Sequence, residues 1–292
     1  MARFAFVNGR YRPMAQAAVH IEDRGFQFAD GVYEVCEVRG GRLVDEPAHL
    51  ARLTRSLARL SIAPPIAMHS LRVVIRQVMI QNGIEDGLIY IQVTRGSAPR
   101  SHAFPQKPTR PSLVVTARGA DRGARSKNAL GIAVVTVPET RWLRVDIKTI
   151  SLLPNVLAKQ TAFEAGAQEA WFVGQDDLIN EGASSNAWIV NGDGVLVTPP
   201  KTAQILEGVT RAAVLKLSRS QGIDIEERRF SVEEALAARE AFVTSATALV
   251  TPVIRLDGAA IGDGGCGPVA ADLRLALLDN PNLAPRLAQF VA

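Results

Sequence analysis

Apolar and polar positions change their period several times along the chain. Phe4 to Val7 is an apolar run followed by Asn8-Gly9, a pair that tolerates the positive φ of a tight turn, and it predicts a hairpin. Gly31 to Val38 is rich in strand-favouring residues, stops at Gly40-Gly41 and resumes over Arg42 to Val44. After Pro47 the period becomes helical: Leu50, Leu53, Leu57 and Leu60 mark one face. Leu71 to Gln81 predicts a second helix, ended by Asn82-Gly83, and Gly87 to Thr94 and Ser112 to Ala117 predict two further strands.

The stretch Arg118 to Ser126 is polar, glycine-rich and without period, as an interdomain linker would be. Beyond it the pattern is again strand-rich, over Ile132 to Val137, Trp142 to Ile150, Ala170 to Val173, Ala187 to Val190 and Val195 to Thr198, with Asn191-Gly-Asp-Gly194 turning between the last two. Helices are predicted over Val156 to Ala165, from Val209-Thr210 to Gln221, and from Ser231, where Ser231 and Glu234 form a capping box. Ala241 to Ser245 and Val253 to Leu256 complete the strands. Strands and helices do not alternate regularly, so the expected class is α+β in two domains: 1–118, a linker over 119–126, and 127–292.

Composition narrows the picture by exclusion. The chain is 47% hydrophobic and 21% charged over 292 residues, enough for a sizeable core. The net charge of +4 would suit nucleic acid or small anions, but the basic residues are scattered. A nucleic-acid binder would gather them with interleaved aromatics, and aromatics are only 5%. Cys36 and Cys266 imply neither a disulfide framework nor a zinc site, and the four histidines have no ligand spacing, so no metal is expected. With no signal-peptide pattern and no apolar run of spanning length, a soluble cytoplasmic protein without membrane partners is the expectation.

Candidate chemistry begins with lysine, because there are six lysines against 27 arginines. In the predicted strand Arg144 to Ile150, Val145 and Ile147 face one way and Arg144, Asp146 and Lys148 the other. An amine held on a rigid strand among charges can act as a nucleophile; the same pattern also describes a solvated strand face. Glu181, followed by Ser184 and Ser185, could recognise a polar ring or belong to an ordinary turn. Val209 and Thr210 open a helix whose free N–H groups could cradle a phosphate, or Thr210 could simply cap it. Arg52 lies one turn into its helix, where solvent exposure is the plain reading.

Taken together, the ordered segments resemble fold-type IV pyridoxal-phosphate enzymes. They are Glu22 to Val35, His49 to Leu53, Thr94 to His102, Arg141 to Lys148, Asn155 to Gln160, Glu181 to Asn186, Leu206 to Arg211, Phe242 to Ser245 and Thr251 to Ile254. The resemblance implies a smaller N-terminal α/β domain and a larger C-terminal β-barrel-like domain with surrounding helices. It also implies pyridoxal 5′-phosphate as cofactor, with Lys148 as Schiff-base lysine and proton carrier and Glu181 on the ring nitrogen. Arg52, Val209 and Thr210 would hold the phosphate, with Ser245 beside it, and Leu206 would pack on the ring. Ser184 and Ser185 would tune Glu181 indirectly. Ala246 stands where the D-amino acid aminotransferases of this family have a threonine, leaving one phosphate donor short unless Thr247 replaces it.

Within that family the D-amino acid aminotransferases resemble one another in a carboxylate trap of Tyr, Arg and His, matched here by Tyr33, Arg100 and His102. The expected activity is ping-pong transfer of an amino group from a D-amino acid to a 2-keto acid. The Arg and His of the trap come from a neighbouring subunit in the family, which implies a homodimer. The rivals are a branched-chain L-amino acid or (R)-amine transaminase of the same fold.

Overall fold

The computed structural model describes residues 3–121, 123 and 128–279, so parts of the expected linker and the end of the expected C-terminal domain lie outside it. The described chain forms two compact units. Residues 3–120 together with Ile147–Ser151 make the first, and the rest makes the second.

In the first unit, β1 (Phe4–Val7) and β2 (Arg10–Pro13) form the predicted hairpin, with φ of 48° at Asn8 and 93° at Gly9. With β3 (Gly31–Arg39), β4 (Arg42–Leu43), β5 (Gly87–Thr94) and β6 (Ser112–Gly119) they build a sheet of order β2-β1-β6-β5-β3-β4, antiparallel throughout. The short α1 (Arg24–Phe28) precedes β3, and α2 (Glu46–Arg59) and α3 (Met68–Asn82) pack on the sheet. Alternate residues Val32, Cys36 and Val38 of β3 join Ile89, Ile91 and Val93 of β5 against Leu50, Leu53, Leu57, Leu71, Ile75 and Val78. Each such buried side chain stabilises the fold by about 1.5–3 kcal/mol. Glu34 shares this apolar face of β3 and is buried with it.

The expected strand Trp142 to Ile150 does not form. Arg144 turns back on Asp146 (Nε to Oδ1 3.0 Å), and Trp142 and Leu143 are exposed. The alternation expected for Arg144, Asp146 and Lys148 therefore lacks a common sheet face. Only the end of the segment is extended, because β4 covers β3 at Val38 and Arg39 alone and leaves the edge near Gly31 open. Thr149 bridges to Val32, the Tyr33 N–H donates to the Lys148 carbonyl (3.0 Å), and the Ile150 N–H donates to the Gly31 carbonyl (3.1 Å).

The second unit contains β7 (Ile132–Pro138), α4 (Leu153–Glu164), β8 (Glu169–Val173), β9 (Leu178–Gly182), β10 (Asn186–Val190) and β11 (Leu196–Thr198). It continues through α5 (Val209–Ser220), β12 (Ile225–Glu227), β13 (Phe230–Ser231), α6 (Val232–Leu236), β14 (Glu240–Ser245), β15 (Leu249–Leu256), β16 (Ala259–Ala260) and α7 (Pro268–Leu278). Its ten strands run β12-β11-β10-β14-β15-β7-β8-β9-β13, with β16 beside β15. The sheet curls as a half-barrel, bringing β9 against β10. Trp171, Ile179, Ile189, Phe230 and Val253 cluster on one face, and Trp188 and Phe242 meet Val214 of α5 and Leu273 of α7 on the other. The capping box predicted at Ser231 and Glu234 opens α6. Among the elements that escape the periodicity reading are β9, which carries Glu181, and α7.

Candidate active site

The first unit holds Lys148, Tyr33, Arg52, Arg100 and His102. Hydrogen bonds to β3 fix the backbone of Lys148, and its Nζ lies 4.2 Å from the centroid of the Tyr33 ring. Tyr33 in turn meets Tyr90 of β5, with ring centroids 5.7 Å apart. Burial, followed by the nearby Tyr33, pushes the Tyr90 phenol up to about 12. Lys159, the other lysine in a quoted motif, is committed within the second unit to the Gln168 carbonyl at 2.5 Å and Glu169 at 3.4 Å.

Arg52 is 5% exposed, not solvated as its helix position alone would suggest. Its Nε and Nη2 donate to the two oxygens of Glu34 at 2.7 and 2.8 Å, and His49 Nδ1 donates to the same carboxylate at 2.9 Å. Burial alone would raise the Glu34 carboxyl, but Arg52 and then His49 hold it down at about 2. A guanidinium so fixed is oriented in advance for a second anion.

Arg100 and His102 are exposed on a segment without helix or strand. The Phe28 ring lies 5.5 Å from the His102 ring and 5.1 Å from the Arg100 guanidinium carbon, so one aromatic touches both.

In the second unit Glu181 lies inside β9, not in a turn. Its carboxylate accepts from Arg141 Nη1 (2.5 Å), Asn186 Nδ2 (2.9 Å) and the Leu206 N–H (3.1 Å to each oxygen). Complete burial raises the carboxyl to about 7 in spite of Arg141 and the Leu206 amide, and the nearby Glu139 adds to the rise. Arg141 is shared: its Nε and Nη2 donate to Glu139 at 2.9 and 2.6 Å.

Asn186 joins this carboxylate to the phosphate-binding candidates. Its Nδ2 also donates to the Leu206 carbonyl (3.0 Å), and a Cβ on Gly208 would stand 2.0 Å from its Oδ1. Gly208 is therefore required at the N-cap of α5, which no side chain caps. Val209 and Thr210 open that helix, where unpaired N–H groups and the helix dipole favour an anion. Asn186 also faces Thr244 in the β10–β14 register, which brings the Ser245–Thr247 turn close. In that turn the Ser245 and Thr247 hydroxyls bond one another at 3.1 Å, and Ala246 offers only backbone. Ser184 and Ser185 point elsewhere: both hydroxyls donate to Glu169 Oε2, at 2.7 and 3.0 Å.

The structure thus gathers Glu181, Leu206, Val209 and Thr210 around Asn186 in one unit, and Lys148 with Tyr33 in the other. Roles for Arg141, Asn186 and Glu34 escape the sequence reading, although all three sit inside the motifs that carry the resemblance. The available signal was a charge within a strand pattern at Glu34, which demands a buried partner.

An extended lysine beside an aromatic pair, and a buried carboxylate near an uncapped helix N-terminus on a curled sheet, agree with one class of enzyme. The amino-transferase class IV family matches residues 31–256, and the chain belongs to it. It is 40% identical to the D-alanine aminotransferase of Bacillus licheniformis over 270 residues, covering 92% of this chain and 94% of that protein. It is 39% identical to that of Staphylococcus haemolyticus over 269 residues, with the same coverage. The branched-chain amino acid aminotransferase of Escherichia coli superposes with a TM-score of 0.86 at 26% identity, over 96% of this chain and 94% of that one. The branched-chain amino acid aminotransferase of Thermoproteus uzoniensis with norvaline gives 0.83 at 24% identity, over 98% and 99%, a likeness of fold.

Proposed function

We propose that the chain is a pyridoxal-phosphate-dependent transaminase that moves the amino group of a D-amino acid, such as D-alanine, to a 2-keto acid such as 2-oxoglutarate. The observation that carries this reading is the contact of Lys148 Nζ with the Tyr33 ring, which puts a reactive amine beside a candidate carboxylate donor. The identity to D-alanine aminotransferases along almost the whole chain supports it.

Each unit carries residues of the kind the cofactor requires. Lys148 would supply the amine that binds it, Glu181 a buried carboxylate for its ring nitrogen, and Arg52 and the α5 N-terminus donors suited to its phosphate. When bound, pyridoxal 5′-phosphate supplies an electrophilic carbon and a ring that withdraws electrons from the substrate's α-carbon. Leu206 would cover the ring, and Ser245 and the Ala246 N–H would serve the phosphate. Ser184 and Ser185 act at a distance, through Glu169. The Lys148 amine takes the substrate's α-proton and holds it at Nζ until it is returned.

Reaction at one fixed amine requires the Cα–H bond to point at Lys148. Handedness then reduces to which side of the substrate receives the carboxylate. Tyr33, Arg100 and His102 make one side anion-binding, which suits a D-amino acid and sets an L-side chain against polar donors. The two substrates use the same residues in turn. The working unit in this reading is a cytoplasmic homodimer in which Arg100 and His102 serve the neighbouring subunit. No helix among the described residues is long and apolar enough to cross a membrane.

The test is a panel of D-alanine, L-leucine and (R)-1-phenylethylamine, each with 2-oxoglutarate, followed by formation of the keto product. D-alanine should turn over fastest. Preference for L-leucine would replace this reading with a branched-chain one.

A further inference from the structure

Segment 99–111 carries Arg100 and His102 yet contains no helix or strand, so its geometry must be imposed from outside. The main anchor is Arg24, the first residue of α1, which is 3% exposed. Its Nη1 donates to the carbonyls of Ser101 (2.6 Å) and Ala103 (3.3 Å), and its Nη2 to that of His102 (3.4 Å). Three consecutive carbonyls therefore converge on one guanidinium.

That guanidinium is itself fixed. Its Nε donates to Asp30 Oδ2 at 2.8 Å, and the same oxygen accepts Arg95 Nε at 2.7 Å, while Oδ1 accepts Arg95 Nη2 at 2.9 Å. Arg95 reaches onward to the Leu60 and Ser61 carbonyls at the end of α2, at 2.8 and 3.1 Å. Its guanidinium carbon lies 3.6 Å from the centroid of the Phe104 ring, so the segment is gripped again just past His102. Asp30 thus links two arginines, one holding the carbonyls of residues 101–103 and the other the Phe104 ring that follows. Only a planar fork can face a carboxylate with one edge and several carbonyls with the other; an ammonium cannot.

We propose that Arg24 is a positioning residue for substrate recognition, fixing with Asp30 and Arg95 the backbone of residues 101–103 and thereby the placement of His102 and of the adjoining Arg100. This inference rests on the reading above, in which those two side chains bind the substrate carboxylate. Arg24 touches no substrate; it acts through the backbone it holds. A displacement of about 1 Å in such a group costs up to about a hundredfold in the reaction it serves.

The experiment measures the dissociation constant of D-lactate, an unreactive carboxylate of the same handedness, by calorimetry on the cofactor-loaded enzyme. Wild type, Arg24→Lys, Asp30→Asn and Arg100→Ala are compared, with thermal melting and the visible absorbance of bound cofactor confirming folded, loaded protein. Arg24→Lys and Asp30→Asn should each weaken D-lactate about tenfold or more. For D-alanine the loss should fall on KM more than on kcat. Asp30→Asn changes almost no volume and keeps the question answerable if Arg24→Lys folds poorly. If Arg100→Ala weakens D-lactate while Arg24→Lys and Asp30→Asn bind it as wild type does, the positioning role is overturned. If Arg100→Ala has no effect either, the carboxylate reading itself falls, and this inference with it.

Discussion

Arg141 Nη1 donates to Glu181 Oε1 across 2.5 Å, and both side chains are buried. One guanidinium therefore balances two carboxylates, because Glu139 takes its Nε and Nη2. The balance at Glu181 is incomplete: burial leaves its carboxyl at about 7. The folded protein then binds a proton at Glu181 that the unfolded chain has released, so this group's contribution to stability falls as pH rises from about 4.5 to about 7. Arg141→Leu removes the counter-charge. It should destabilise the cofactor-free protein by roughly 3–5 kcal/mol near pH 8 and by clearly less below about pH 5.5, where Glu181 is protonated anyway. Urea denaturation at both pH values is the check, and an equal loss at both would mean that Arg141 does not act through the Glu181 charge.

Glu34 behaves in the opposite sense. With its folded carboxyl held at about 2, below the ordinary 4.5, it contributes stability that is complete above the ordinary value and lost as pH falls through the folded one. Glu34→Gln should remove that acid dependence and leave Arg52 buried without its carboxylate, at a cost of about 3–5 kcal/mol at neutral pH. Acid titrations of variant and wild type, followed by circular dichroism, should differ between the two values.

Lys148→Ala should abolish transamination, and borohydride should no longer fix the cofactor to the chain. Lys159 cannot easily take over, being committed to Gln168 and Glu169. Mass spectrometry of the borohydride-treated variant settles the matter: a retained covalent adduct would move the attachment to another lysine.

Arg100→Ala should lower kcat/KM for D-alanine by roughly 2–4 kcal/mol, a factor of about 30 to 800, and barely change turnover of (R)-1-phenylethylamine, which has no carboxylate. An equal fall for both would show that Arg100 does not hold the carboxylate.

Ala246→Thr should tighten the cofactor, most visibly in its pyridoxamine form, by about 1–2 kcal/mol, roughly five- to thirtyfold. The Thr247 hydroxyl is exposed and paired with Ser245, so it is not committed to the phosphate in this arrangement. Dialysis of the pyridoxamine form, with release followed by absorbance, reads the effect. Unchanged or faster loss would show that the missing donor is already replaced.

Much of this fold is legible in the sequence, and the exceptions share a cause. Leu50, Leu53 and Leu57 reveal α2, Asn8-Gly9 the first hairpin, and Ser231 with Glu234 the α6 start, because each signal is local. The segment Trp142 to Ile150 misleads because its alternation satisfies a strand pattern while only residues near Thr149 find a partner strand. β9 is hidden because Asn180 and Glu181 are polar yet buried in a strand, their partners lying on other elements. The roles of Asn186, Arg141 and Arg24 depend on atoms 20 to 79 residues away in the chain, and no periodicity records such pairings.

The strip Ile147–Ser151 belongs to the first unit although the residues flanking it belong to the second. Its hydrogen bonds to Gly31 and Tyr33 join positions more than a hundred residues apart. During synthesis the first sheet must therefore wait, with the edge of β3 open near Gly31, until residue 151 has left the ribosome. A fragment ending at residue 120 would likewise lack both this edge strip and Lys148. The chain thus ties maturation of its first unit to the arrival of the residue proposed to carry the cofactor: a half-made polypeptide has neither a finished sheet nor the amine.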